Sequence, residues 1–276
     1  MYTQLQQRDS DRPPVTLNTL HQMKQRGEKI AALTAYDASF AALVDAAGVD
    51  VVLVGDSLGM VIQGHDTTVP VTMDQMVYHS SAVARGLSRP FLIADLPFMS
   101  YASPQLALTN SVRLMQEGGA KMLKLESGAG QVQIVEFLTN HDIAVCAHLG
   151  LRPQSVHKTG GFRVQGREEE AARQMIDDAL ALEAAGADLV LLECIPASLG
   201  ERITRAVKVP VIGIGAGSST DGQILVLYDM LGITLGRKPR FVRNFALDGV
   251  TPGTAIERYV QAVKSGEYPA QEHCFV

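Results

Sequence analysis

Tryptophan is absent from this 276-residue sequence, aromatic residues make up 5% of it, and cysteine occurs only at Cys146, Cys194 and Cys274. Widely spaced, odd in number and without a C-x-x-C pair, these cysteines suggest neither a disulfide framework nor a thiolate zinc site, and they fit a reducing cytoplasm. Long blocks of one charge are missing too. Against 29 Asp and Glu stand 24 Lys and Arg, a net charge of −5, which leaves no electrostatic footprint for nucleic acid. No uninterrupted apolar run approaches the roughly 18 residues of a membrane span. The N-terminal MYTQLQQRDSDRPP lacks the apolar stretch of a signal peptide. A soluble, cytoplasmic protein acting on small molecules is expected, with no nucleic-acid or membrane partner.

What is present is a regular alternation. With 46% hydrophobic and 19% charged residues, the composition is that of an ordinary globular protein. From about residue 28, short β-branched or apolar runs alternate with longer helical patterns across Gly- and Pro-containing turns. Strands are expected at 29–35, 50–56, 90–96, 121–126, 143–150, 187–193 and 209–215, with helices at 37–47, 73–86, 104–118, 130–140, 168–185 and 198–207. DGQILVLYDMLG (221–232) reads either as an eighth strand, QILVLY, or as a helix; the strand is the preferred reading. Near-continuous apolar strands joined by helices indicate a parallel sheet covered outside, and so many βα units favour a closed (β/α)8 TIM barrel over an open doubly wound sheet. No linker divides the chain. A single domain over 1–276 is expected, with an N-terminal extension (about 1–25), and a C-terminal helix and tail (about 240–276) ending in EYPAQEHCFV.

The polar residues fall where such a barrel keeps its active site, at the C-terminal ends of the strands. Five consecutive predicted strands end in Asp56, Asp95, Glu126, His148 and Glu193. Neighbouring strands lie about 4.8 Å apart, so Asp56, Asp95 and Glu126 are expected to meet around one ion. Carboxylates without cysteine or a histidine pair point to magnesium or manganese rather than zinc, with water and substrate completing the shell and Glu126 able to act through water. Lys124, two residues before Glu126, shares its face of the strand. A lysine inside a barrel needs an anion, either Glu126 or an acidic substrate. The set suits a carboxylate with an adjacent carbonyl.

Blander readings compete with each residue taken singly. A lone strand-end carboxylate is more often a helix N-cap or loop acceptor; convergence on one mouth favours a site. His148 reads as a barrel-mouth histidine or as a proton-transfer group. GIGAG (213–217) lacks the spacing of a dinucleotide loop and reads as a tight turn, GGFRVQGR (160–167) as a lid, a substrate contact or a solvated loop. Cys146 and Cys194 read as core packing.

VGDSLGMVIQGHDTTVPVT (54–72), IADLPFMSY (93–101), KLE (124–126), HLGLRPQSVHKTGGFRVQGR (148–167), LLE (191–193) and VIGIGAGSSTDGQILV (211–226) together resemble the ketopantoate hydroxymethyltransferase family, from about residue 15 to about 260. The resemblance implies a metal-dependent barrel of the phosphoenolpyruvate/pyruvate-binding type. It implies transfer of a one-carbon unit from 5,10-methylenetetrahydrofolate to 3-methyl-2-oxobutanoate, giving 2-dehydropantoate in pantothenate biosynthesis through a Mg2+-stabilised enolate. A cytoplasmic homodecamer of two pentameric rings is implied as well. By position, Asp56 and Asp95 match the family's metal-binding aspartates and Glu126 its third metal-associated carboxylate. Ser57 and Lys124 match substrate contacts, Glu193 the proton acceptor, with His148 as a possible accessory. The sequence departs from the family pattern at Ser127 in KLESG and Arg152 in HLGLRP.

Two rivals stand beside this reading. A carbon–carbon lyase of the phosphoenolpyruvate mutase and isocitrate lyase type would share barrel, metal and enolate but need no folate; the K-x-C-G-H setting of the isocitrate lyase branch is not found. A non-catalytic 2-oxo-acid sensor would need no separate base such as Glu193.

Overall fold

Eight short strands close on themselves in the computed structural model, which describes residues 13–236 and 238–276. They are β1 (Ile30–Thr34), β2 (Val51–Val54), β3 (Phe91–Asp95), β4 (Met122–Glu126), β5 (Val145–Gly150), β6 (Leu189–Glu193), β7 (Val211–Ile214) and β8 (Gly222–Leu225). All pair in parallel and in sequence order, and β8 pairs with β1 to complete the barrel. Every residue of β1–β4, β7 and β8 is buried. Side chains facing inward fill the barrel and those facing outward meet the helices, which explains apolar runs without polar alternation.

The six expected helices form within a few residues of their predicted bounds, from Ala38–Ala46 to Ala197–Ala206. Their starts follow local chemistry. Asp37 accepts from the Ser39 and Phe40 N–H groups, Thr72 and Gln75 form a capping box, and Ser103 caps a helix with Pro104 in its first turn.

The ambiguous segment 221–232 is both things expected of it. Gly222–Leu225 is the eighth strand, and Leu227–Met230 is one turn of helix. The change of direction comes where the Leu227 N–H donates to Thr34 Oγ1 at 2.9 Å, a contact with β1 that a four-residue apolar run does not announce. No crossover helix separates β7 from β8. The GIGAG stretch and SSTD make the connection as a turn, with Gly215 and Gly217 at positive φ, and Asp221 Oδ2 accepts from the Val211 N–H and from Lys24.

The described segments before β1 and after β8 pack on the barrel. Within the expected N-terminal extension, Leu17–Arg26 is helical, and residues 1–12 lie outside the described residues. The C-terminal helix Pro252–Ser265 lies over the closing seam, where the Tyr259 hydroxyl is 2.8 Å from the Ala32 carbonyl and 2.9 Å from that of Gln223. The segment read as a tail returns to the mouth of the barrel. Phe275 bridges to Pro196, its carbonyl accepts from the Ala197 N–H at 2.9 Å, and its ring meets Phe241 edge-on. Among the described residues no helix is long and apolar enough to cross a membrane.

Candidate active site

Asp56, Ser57, Asp95, Lys124, Glu126, His148 and Glu193 all line one cavity of about 1300 Å3 at the C-terminal ends of the strands. Asp95, Glu126 and Glu193 are the last residues of β3, β4 and β6. Asp56 and Ser57 stand just beyond β2, whose last strand residue is Val54. Gly55 permits their close approach, since a Cβ there would lie 2.8 Å from Ser57 Oγ. Ser57 Oγ is itself 2.8 Å from the buried Tyr36 hydroxyl.

Among the protein's own carboxylates, Lys124 pairs with Asp95 and not with Glu126. Its Nζ is 2.8 Å from Asp95 Oδ1, because the register sets Asp95 beside Lys124 across the β3–β4 pair. Periodicity along one strand identifies the face a residue shares, and the lateral neighbour depends on register. Burial works against the Lys124 charge, but Asp95, Asp56 and Glu126 together outweigh it and raise its pKa. The ammonium is held charged. Asp95 Oδ2 accepts from the Asp56 N–H at 3.0 Å, so Asp95 ties the lysine to the β2 loop.

Asp56, Asp95 and Glu126, expected to meet around one ion with Glu126 able to act through water, stand in the same cavity, and among the described residues no three His, Cys, Asp or Glu side chains are grouped to hold a metal ion by themselves. Gln154 holds one oxygen of each of two of these carboxylates. Its Nε2 donates to Asp56 Oδ2 at 2.7 Å, and its N–H to Glu126 Oε1 at 2.8 Å. The donor set still fits a hard divalent cation. Glu126 Oε2 is buried and receives no hydrogen bond. Burial, and next the Asp95 charge, push Asp56 up to about 7, and burial pushes Glu126 up to about 8. Carboxyls this reluctant to ionise gain most from an added positive charge.

Across the cavity, Glu193 Oε2 is 3.2 Å from His148 Nε2. Burial raises Glu193 to about 7 against the opposing pull of Lys124. Burial, then the Lys124 charge, lower His148 well below the usual histidine value, so the imidazole is neutral. Both its ring nitrogens are buried without a hydrogen bond.

The backbone around Glu193 is closely specified. Cys194, which follows it, has φ of 50°, a left-handed conformation uncommon outside glycine. Gly150 on β5 has φ of +94°, and a Cβ there would meet the Glu193 carbonyl oxygen at 2.2 Å. Gly150→Ala is therefore expected to destabilise the fold by about 1–3 kcal/mol and to move Glu193. Urea denaturation and turnover, measured together, check this; wild-type values of both would show that the close approach is not needed.

GGFRVQGR contributes Phe162, Arg163 and Val164 to the cavity wall, and the Gln165 N–H donates to the Cys194 carbonyl at 2.9 Å. It borders the site instead of standing free in solvent. Cys146 and Cys194 are buried, as expected of core residues. The two departures from the family pattern touch: Arg152 Nη1 donates to the Ser127 carbonyl at 3.3 Å, and the Ser127 N–H donates to the His148 carbonyl at 2.8 Å. Gln154, Tyr101 and Tyr36 were not among the residues singled out by sequence; their roles depend on contacts far along the chain.

A closed parallel barrel with ionisable residues gathered at its C-terminal mouth has the architecture of a (β/α)8 barrel enzyme. The fold resembles that of 2,3-dimethylmalate lyase, itself a PEP mutase/isocitrate lyase superfamily member, with a TM-score of 0.56 at 15% identity over 78% of this chain and 82% of the other. Oxaloacetate acetylhydrolase in complex with oxalate gives 0.59 at 15% identity over 93% and 99%. Within that architecture the chain belongs to the ketopantoate hydroxymethyltransferase family, whose sequence profile matches residues 14–271. The 3-methyl-2-oxobutanoate hydroxymethyltransferase of Marinobacter nauticus is 60% identical over 261 residues, 95% of this chain and 98% of its own. That of Nitrosococcus oceani is 59% identical over 94% and 98%.

Proposed function

We propose that this enzyme transfers a hydroxymethyl group from 5,10-methylenetetrahydrofolate to 3-methyl-2-oxobutanoate, giving 2-dehydropantoate and tetrahydrofolate, as the first committed step toward pantothenate. The carrying observation is Glu193, a strand-end carboxyl raised to about 7 in the same cavity as the Lys124–Asp95 ion pair. A 2-oxo acid needs both: a cationic end to hold its carboxylate and a base matched to neutral pH to take a weakly acidic proton. The high identity to hydroxymethyltransferases favours the transferase over the lyase and sensor alternatives.

In this reading Asp56, Asp95 and Glu126 would hold a divalent cation between them. When bound, the cation supplies Lewis-acid stabilisation of charge on the 2-oxo oxygen. Lys124 offsets the substrate carboxylate, and Ser57 Oγ, oriented by Tyr36, hydrogen-bonds the oxo acid. Glu193 removes the proton from C3. Neutral His148 stands beside Glu193 as its accessory. The carbon at C3 then forms a bond to the folate-borne methylene carbon, the bond from that carbon to the folate nitrogen breaks to release tetrahydrofolate, and water supplies the hydroxyl of the product. The proposal includes a cytoplasmic homodecamer, as the family resemblance implies, which sedimentation velocity checks.

The assay combines 3-methyl-2-oxobutanoate, methylenetetrahydrofolate and Mg2+, and follows 2-dehydropantoate. Dialysis against chelator is expected to abolish product, and added Mg2+ to restore it. Full activity after chelation would remove the cation from the scheme. Cleavage of a larger acid without folate would favour a lyase, and binding without turnover a sensor.

A further inference from the structure

We propose that Gln154 is the positioning residue of this site, fixing which oxygens of Asp56 and Glu126 face the substrate, with Tyr101 setting the orientation of its amide. The role assigned to those carboxylates rests on the reading above.

Gln154 belongs to a short 3-10 turn, Pro153–Ser155, that follows β5. It is 5% exposed, yet it is not among the residues bordering the cavity. It therefore acts through other groups. Its Nε2 donates to Asp56 Oδ2 at 2.7 Å and to the Leu96 carbonyl at 3.0 Å; its N–H donates to Glu126 Oε1 at 2.8 Å; its Oε1 accepts from the Tyr101 hydroxyl at 2.6 Å. One residue from the β5 loop thus joins the ends of β2, β3 and β4.

The chemistry of the four contacts selects glutamine. Both amide protons are used on acceptors, a carboxylate and a carbonyl, and the amide oxygen faces a hydroxyl. Turning the amide over would set its oxygen against two other acceptors, so the orientation is decided by the partners. Tyr101 adds a third constraint, because burial pushes its phenol well above the usual tyrosine value and keeps the hydroxyl a donor. With Asp56 Oδ2 and Glu126 Oε1 tied to the wall, the second oxygen of each carboxylate is left for the site. Glu126 Oε2, buried without a hydrogen bond, is one of these. Partners of this kind, one shell removed from a ligand, orient it, and their loss commonly weakens metal affinity about 10- to 100-fold.

A residue that only fastened the loop would behave differently. Gln154→Met keeps the volume and the backbone N–H to Glu126 but removes the amide; Tyr101→Phe keeps Gln154 and removes only the hydroxyl that orients it. Mg2+ affinity is measured by titration calorimetry without substrates, KM for each substrate by initial rates, and stability by thermal denaturation. For Gln154→Met the expected result is Mg2+ binding weakened about 10- to 100-fold, a raised KM for the oxo acid, and a KM for methylenetetrahydrofolate within about twofold of wild type. Tyr101→Phe is expected to move the same quantities in the same direction by less. Wild-type Mg2+ affinity and oxo-acid KM in Gln154→Met would overturn the proposal. So would a parallel rise in both KM values that follows lost thermal stability. If wild-type protein binds no divalent cation, the metal reading above fails, and the oxo-acid KM alone then decides the role of Gln154.

Discussion

Glu193→Gln protein is expected to bind 3-methyl-2-oxobutanoate and yet leave its C3 hydrogen unexchanged with solvent, with turnover lower by about 10²- to 10⁴-fold, the range for loss of a general base. The amide keeps the size of the side chain and removes its ability to accept a proton. Three features make Glu193 the base. Burial raises it to about 7, where the ionised form is available and still basic. His148, 3.2 Å away, is held neutral by burial and by the Lys124 charge, so it does not pull Glu193 down as an imidazolium would. Cys194 in a left-handed conformation and Gly150 packed on the Glu193 carbonyl fix the backbone that carries it. The sign of the pH dependence follows: Glu193 must be ionised in free enzyme, so kcat/KM should rise with pH and level off above about 7. Proton NMR of the oxo acid in D2O reads the exchange directly. Near-normal exchange in Glu193→Gln would sink the assignment.

Asp95→Ala should cost both activity and stability. Asp95 is 2% exposed and faces Lys124, which is 6% exposed, at 2.8 Å. Removing one member of a buried ion pair leaves the other uncompensated, typically a loss of about 3–5 kcal/mol. Here Asp56 and Glu126 stay within Coulomb reach of the lysine, which places the expected loss at the lower end of that range. The same substitution frees the Asp56 N–H from its acceptor and removes a proposed cation ligand, so turnover is expected to be undetectable. Urea denaturation of Asp95→Ala beside the double variant Asp95→Ala/Lys124→Met separates the effects: the apolar lysine replacement should recover stability and leave activity absent. A double variant no more stable than the single would show that the pair is not the source of the loss.

Much of the fold was legible because barrel strands are buried on both faces, and unbroken apolar runs between Gly and Pro turns mark them directly. The eighth strand was harder. GQIL and LYDM form one apolar stretch, and the break between them is made by Thr34, 193 residues away in sequence. EYPAQEHCFV reads as a tail since it is short and polar, yet Phe275 finds an apolar seat against Phe241 and Pro196 at the mouth.

The site divides along the same line. Sequence by itself determined that Asp56, Asp95, Glu126, His148 and Glu193 share one end of the molecule, because parallel strands all present their C-terminal ends to the same mouth. Order along the chain is then enough. Tertiary structure decided which of these groups touch and in what protonation state. Lys124 pairs with Asp95 through strand register, and Gln154 reaches Asp56 across 98 residues and Glu126 across 28. Burial sets the proton affinity of Glu193 and His148. Register, long-range hydrogen bonds and desolvation all depend on distances between segments remote in sequence, and those distances exist only once the barrel has closed.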